Sequence, residues 1–254
     1  MRKHTLVGAV VLLAAIAFNG CGNNNKNNKN NDPKGQQEAD VQQVVDNLAE
    51  AEINILEQPN RMLLIVDPQN DFVKDGSLAT KKGAEALDRL ANALKTKQWE
   101  NYRWIIVTMD AHPEDHCSFK EQGGDFPPHC VQGTPGMAIY DPLWNVINTM
   151  LEKSYQVHLM EKGYYVNRDE FSIFQNAQNG EKLRRTITEF EDFIGIDVCG
   201  IATDYCVYET VKDLVEFYPA EKIRVVTNCI AAVDESDTKL ANLMKEKGIK
   251  GIEF

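Results

Sequence analysis

From Arg61 onward, six short apolar runs alternate with segments of helical spacing. Arg61-Met62-Leu63-Leu64-Ile65-Val66 is continuously apolar after its first residue and ends in Asp67-Pro68, the pattern of a strand buried on both faces of a parallel sheet. Runs at Trp104 to Met109, Gln156 to Met160, Phe193 to Cys199, Ile223 to Thr227 and Ile249 to Ile252 repeat it. Helical periodicity falls between them, over 83–98, 141–152, 181–190, 204–217 and 236–247. This alternation predicts an α/β protein, a three-layer α/β/α sandwich around a six-stranded, mostly parallel, doubly wound sheet. Ligands in such folds bind at the carboxyl ends of the strands.

The first sixty residues follow a different pattern. Arg2 and Lys3 precede an apolar run of 13 residues, Leu6 to Phe18. That run is too short for a membrane-spanning helix, which needs ~20 residues, but has the form of a secretory leader over 1–20. A buried N-terminal helix or a misassigned start is the competing reading. Gly20-Cys21 resembles a bacterial lipobox, although Phe18 and Asn19 depart from it. The resemblance implies that Cys21 is lipidated and that the protein is exported and held at a membrane by its lipid anchor alone. Residues 22–35 are mostly Asn, Lys and Gly, a composition that cannot bury enough apolar surface to order itself and reads as a tether. Val41, Val44, Val45 and Leu48 suggest a short helix within 36–55, completing a linking region over 21–60. One domain, 61–254, remains, with 194 residues.

The whole chain carries a net charge of −11. Without the leader it has 25 basic and 38 acidic side chains, a net of −13, which argues against a nucleic-acid partner.

Three groups of residues at expected strand ends carry chemistry. Asp67 closes the first strand, where Pro68 and Gln69 turn the chain away; a turn-capping role is the competing reading. Cys206, in Gly200-Ile201-Ala202-Thr203-Asp204-Tyr205-Cys206-Val207, falls in the first turn of a helix that follows a buried strand. Unpaired N–H groups and the helix dipole there favour a thiolate and bind an oxyanion, both useful in acyl transfer. A buried inert thiol is the alternative, and it suits Cys199 and Cys229 better. The third group is the stretch of 27 residues from Asp110 to Gly136, which holds His112, His116 and His129. Loops this long in small domains are usually functional or disordered. Three imidazoles with the Asp110 carboxylate suit one divalent ion, zinc first, with iron or manganese also compatible.

Four segments together, LLIVDPQNDF, DAHPEDH with PPHCVQGTPG, EKGYYVNRDEFSIF and GIATDYCV, resemble the metal-dependent nicotinamidase/pyrazinamidase branch of the isochorismatase-like hydrolases. The resemblance spans 61–254. It implies a catalytic triad of Asp67, Lys162 and Cys206, and metal ligation by Asp110, His112, His116 and His129. It further implies an oxyanion hole from the N–H groups of Ala202 and Cys206, with a cis peptide before Ala202, and substrate contacts from Phe72, Gln69 and Phe126. The implied reaction is hydrolysis of a small carboxamide, nicotinamide and also pyrazinamide, through a cysteine thioester. Lys162 follows from the resemblance alone; spacing would leave it a loop lysine.

The competing functions are an amidase of the same superfamily acting on a ureido or carbamoyl compound, and a non-catalytic lipoprotein that binds metal or solutes. The histidine-rich loop argues against the first and the intact triad positions against the second. Isochorismatase chemistry fits less well, since that branch lacks the cysteine and the ligand set. Five cysteines follow Cys21, an odd number, so at least one thiol has no intramolecular partner. The sequence leaves the oligomeric state open, a homo-oligomer included.

Overall fold

Strand β1, Arg61–Val66, sends alternate side chains to opposite faces, and both faces are covered. Leu63 and Ile65 enter one core with helices α1 (Gly83–Lys95) and α2 (Asp141–Glu152). Met62, Leu64 and Val66 enter a second core with α3 (Asn179–Glu189), α4 (Tyr208–Leu214) and α5 (Lys239–Lys247). The continuous apolar run in the sequence is thus the signature of a strand with helices on both sides.

The computed structural model describes Gln43 and residues 60–254 apart from 74, 97 and 190–193. The leader, the lipidation site Cys21, the Asn-rich tether, the helix expected within 36–55 apart from Gln43, and the expected strand start at Phe193 lie outside the described residues. Among the described residues no helix is long and apolar enough to cross a membrane.

The remaining strands are β2 (Trp104–Asp110), β3 (Val157–Lys162), β4 (Gly195–Ile201), β5 (Ile223–Ala231) and β6 (Lys250–Ile252). Their order is β3-β2-β1-β4-β5-β6 and every pairing is parallel, where the sequence predicts a mostly parallel sheet. The chain starts at the centre, winds to β3 at one edge and returns to lay β4 against β1. The winding reverses at β1/β4, the point where ligands bind in such sheets. Gly200 permits close approach there: it pairs with Val66 in register, and a Cβ on it would lie 2.1 Å from the Val66 carbonyl oxygen.

Most expected boundaries hold within a few residues, and two of the deviations fall where the site is built. Strand β3 continues two residues past Met160 because Asp110 of β2 pairs with Lys162. The helix expected over 204–217 starts as a π-helical turn, Thr203–Val207, before becoming α-helical at Tyr208. The helix expected from 236 begins at Lys239, because Asp234 and Asp237 accept hydrogen bonds from the Ser236 and Lys239 amides and hold turns there.

Candidate active site

The carboxyl ends of four neighbouring strands converge on one cavity. Asp67 follows β1, Asp110 ends β2, Lys162 ends β3, and Ala202 and Cys206 follow β4. Asp67 has φ of 45°, a left-handed conformation that costs about 1–3 kcal/mol away from glycine and persists only when its surroundings enforce it. Here Asp67 N–H donates to the Thr108 carbonyl (3.2 Å), and Thr108 Oγ1 donates to Asp67 Oδ1 (2.7 Å). The carboxylate is thereby aimed across the strand ends.

Lys162 is fully buried and sits at the centre. Its Nζ lies 2.9 Å from Asp67 Oδ2, 2.5 Å from Asp110 Oδ1, 3.7 Å from Cys206 Sγ and 3.1 Å from the Glu170 carbonyl. Burial works against its ammonium, but Asp110 and Asp67 outweigh burial and hold its pKa well above the ordinary lysine value. Burial likewise opposes ionisation of Asp110, yet Lys162 and His112 hold its carboxyl below the usual range. Burial pushes Asp67 up against the pull of Lys162. It also drives the Cys206 thiol well above 9.0, with Lys162 opposing. Burial of the thiol thus works against the thiolate that the helix start favours, and Lys162 works for it.

The cavity above this floor has a volume of about 110 Å³. Phe72 and Phe126 line it as expected, joined by Phe171 and Tyr205. Phe126, Phe171 and Tyr205 form a mutual set, with ring centroids 5.8–6.2 Å apart. Ala202 and Cys206 border the cavity, and the Ile201–Ala202 peptide bond is cis.

Two residues take other positions. Gln69 does not line the cavity: its side chain accepts from the Asp110 N–H (2.7 Å) and donates to the Asp110 carbonyl (2.7 Å) and the Met137 carbonyl (2.8 Å). A fully buried amide needs its partners, and the backbones of Asp110 and Met137 supply them. His116 stands apart from the other expected ligands. Asp110, His112 and His129 bring ligand atoms within 4.8 Å of one another, whereas His116 groups with His112 and Asp169. Its ring stacks on His112 at 4.0 Å, with Nδ1 on Ser118 Oγ and Nε2 on the Arg168 carbonyl.

The three-residue set fits a divalent ion. Nδ1 of His112 bonds the Gly163 carbonyl (2.8 Å) and Nδ1 of His129 the Pro127 carbonyl (2.8 Å), leaving Nε2 of each to ligate. Burial pushes His129 below the ordinary imidazole value, toward the neutral form that binds metal. At His112 burial acts the same way, but adjacent Asp110 outweighs it and raises the pKa.

Sequence reasoning missed Phe171, Tyr205, Asp169 and Glu170. The strand period could have found Lys162, since counting by two from buried Met160 puts it on the same face. Glu170, buried and seven residues beyond Gly163, carries no local signal.

The comparisons agree with this geometry. A family model for the isochorismatase domain matches residues 61–249. The nicotinamidase/pyrazinamidase of Mycobacterium tuberculosis is 35% identical over 187 residues, 72% of this chain and 92% of that one. Among solved structures, PnC1 from L. infantum in complex with nicotinate has a TM-score of 0.64 at 30% identity, covering 78% of this chain and 94% of that one. The pyrazinamidase of Pyrococcus horikoshii in complex with zinc has a TM-score of 0.61 at 25% identity, covering 77% and 100%. By the family model over 61–249 and the 35% identity to the Mycobacterium tuberculosis enzyme, the chain belongs to the isochorismatase-like hydrolases, in their nicotinamidase/pyrazinamidase branch.

Proposed function

We infer that this protein hydrolyses nicotinamide to nicotinate and ammonia, with pyrazinamide as a further substrate. The observation that carries this reading is the placement of the Lys162 ammonium between Asp67 and Cys206 at the floor of an aromatic cavity, beside the Asp110, His112 and His129 donors. The flat ring of the substrate suits the walls formed by Phe72, Phe126, Phe171 and Tyr205, and its amide then faces the thiol.

In the first step Asp67 takes the Cys206 proton as the sulfur attacks the carboxamide carbon. Lys162 stays charged and compensates the negative charge that develops on sulfur. The N–H groups of Ala202 and Cys206 are the proposed donors to the tetrahedral oxyanion. Asp67 returns the proton to the departing ammonia, leaving a thioester on Cys206, then activates the water that releases the acid. Asp110, His112 and His129 would hold a divalent ion, which we propose to be zinc, and the bound ion would supply a Lewis-acidic site for orienting the substrate ring. His116 backs His112 in this arrangement.

The deciding experiment is ammonia release by the purified protein from nicotinamide, pyrazinamide and a panel of ureido and carbamoyl compounds. Turnover confined to the ureido compounds would replace this reading with the related amidase. We also propose that the domain is exported and lipid-anchored through Cys21, supported by Arg2-Lys3, the apolar run to Phe18 and Gly20-Cys21. Labelling with a palmitate analogue tests this, and equal labelling of a Cys21→Ser variant would refute it.

A further inference from the structure

The loop that follows β3 touches the site through three backbone carbonyls. The Gly163 carbonyl bonds His112 Nδ1 at 2.8 Å, the Arg168 carbonyl bonds His116 Nε2 at 3.1 Å, and the Glu170 carbonyl accepts from Lys162 Nζ at 3.1 Å. Three carbonyls of one eight-residue segment thus orient two histidines of the metal loop and the central lysine. Such an arrangement works only if the segment is closed at a fixed size.

Glu170 closes it. Its side chain is buried, and Oε2 accepts from the Gly163 N–H at 2.9 Å, joining the last residue of the segment to the first. The same oxygen accepts from Asn176 Nδ2 at 2.8 Å, and Asn176 is in turn held by Tyr164 OH and the Gln178 and Asn179 amides. Among the described residues, Oε1 has an ion pair at 3.4 Å from Arg168 Nε and no hydrogen bond. The clasp has little slack. Gly163 adopts φ of +68°, and a Cβ there would lie 2.6 Å from His112 Cε1, so a shift of this glycine is transmitted directly to the histidine ring.

We propose that Glu170 is a positioning residue that clasps segment 163–170, so that its carbonyls fix His112 for metal binding and Lys162 for the thiol chemistry. This rests on the metal reading above. Replacement by aspartate keeps the charge but withdraws the carboxylate by ~1.5 Å, beyond reach of the Gly163 N–H. Glutamine keeps the length and one acceptor oxygen for both Gly163 and Asn176.

The test is zinc titration of the metal-free full chain against a chromophoric chelator, with thermal unfolding and steady-state kinetics alongside. Outer partners of ligating histidines typically contribute 10–100-fold in affinity, so Glu170→Asp should weaken zinc binding by about tenfold or more, with Glu170→Gln within about threefold of wild type. The kcat of Glu170→Asp on zinc-saturated protein should also fall, reporting the loosened Lys162. Wild-type zinc affinity in Glu170→Asp, equal losses in the Asp and Gln variants, or loss of cooperative folding in Glu170→Asp would each overturn the proposal. No zinc uptake by the wild-type chain would instead remove the metal reading and this inference with it, so the two failures are distinguishable.

Discussion

Lys162 Nζ lies 2.9 Å from Asp67 Oδ2 with both side chains fully buried, and the pair joins the carboxyl ends of β3 and β1 across the intervening β2. Asp110 on β2 completes a cluster of one cation and two carboxylates. The positive charge therefore compensates both buried carboxylates at the strand ends.

Replacing Lys162 with methionine, which has similar volume, should leave two buried carboxylates without their cation. Breaking one partner of a buried ion pair costs about 3–5 kcal/mol, so a substantial drop in urea-unfolding free energy is expected along with loss of ammonia release. A fully active variant would remove Lys162 from the mechanism.

Cys206→Ala should abolish turnover while leaving the fold intact, since it deletes one buried sulfur whose hydrogen bond is the long 3.7 Å contact from Lys162 Nζ. Mass spectrometry of wild-type protein quenched during turnover should find a nicotinoyl adduct on Cys206. Wild-type turnover by the alanine variant would eliminate the thioester route.

Gln69→Leu should act through Asp110 and not through the substrate. It unpairs the Asp110 N–H and carbonyl, and each buried group so exposed costs about 1–3 kcal/mol. Lower thermal stability and weaker zinc uptake are expected together. A rise in KM with stability and zinc affinity unchanged would return Gln69 to the substrate-contact role the resemblance implies.

Chelation should raise KM for nicotinamide and lower the melting temperature, with both reversed by added zinc. An ion present at 100 times its Kd stabilises the folded chain by about 2.7 kcal/mol. Identical melting curves with and without verified metal would refute resident metal binding by Asp110, His112 and His129.

Stability at low pH should depend on Asp197 at the opposite end of the sheet. Its buried carboxylate receives Arg224 Nε at 2.7 Å, Arg61 Nε at 3.1 Å and Tyr102 OH at 2.7 Å. Burial alone would raise its pKa, but Arg224, Arg61 and Tyr102 outweigh burial and lower it below 3.8. A depressed folded-state pKa gives stability that is complete above the unfolded value and lost as pH falls through the folded one. The stability gap between wild type and Asp197→Asn should therefore stay constant above pH 3.8 and narrow below it. A gap that narrows on the alkaline side would contradict this assignment.

The alternation of apolar runs and helical spacing determined the sheet, its winding and the end at which a site would form, because strand burial and helix amphipathy are periodic and local. Motifs around Asp67, Asp110 and Cys206 were legible for the same reason: each follows an apolar run, so its place at a strand end can be counted along the chain. Tertiary structure alone decided what lies across the sheet. Lys162 became central through register with Asp110, Gln69 was drawn from the cavity by the backbone it satisfies, and His116 was placed behind His112. Glu170 acquired its role by clasping a glycine seven residues away. These outcomes depend on how separate strand ends face one another and which buried polar groups find partners, and neither property has a period that a linear sequence can show.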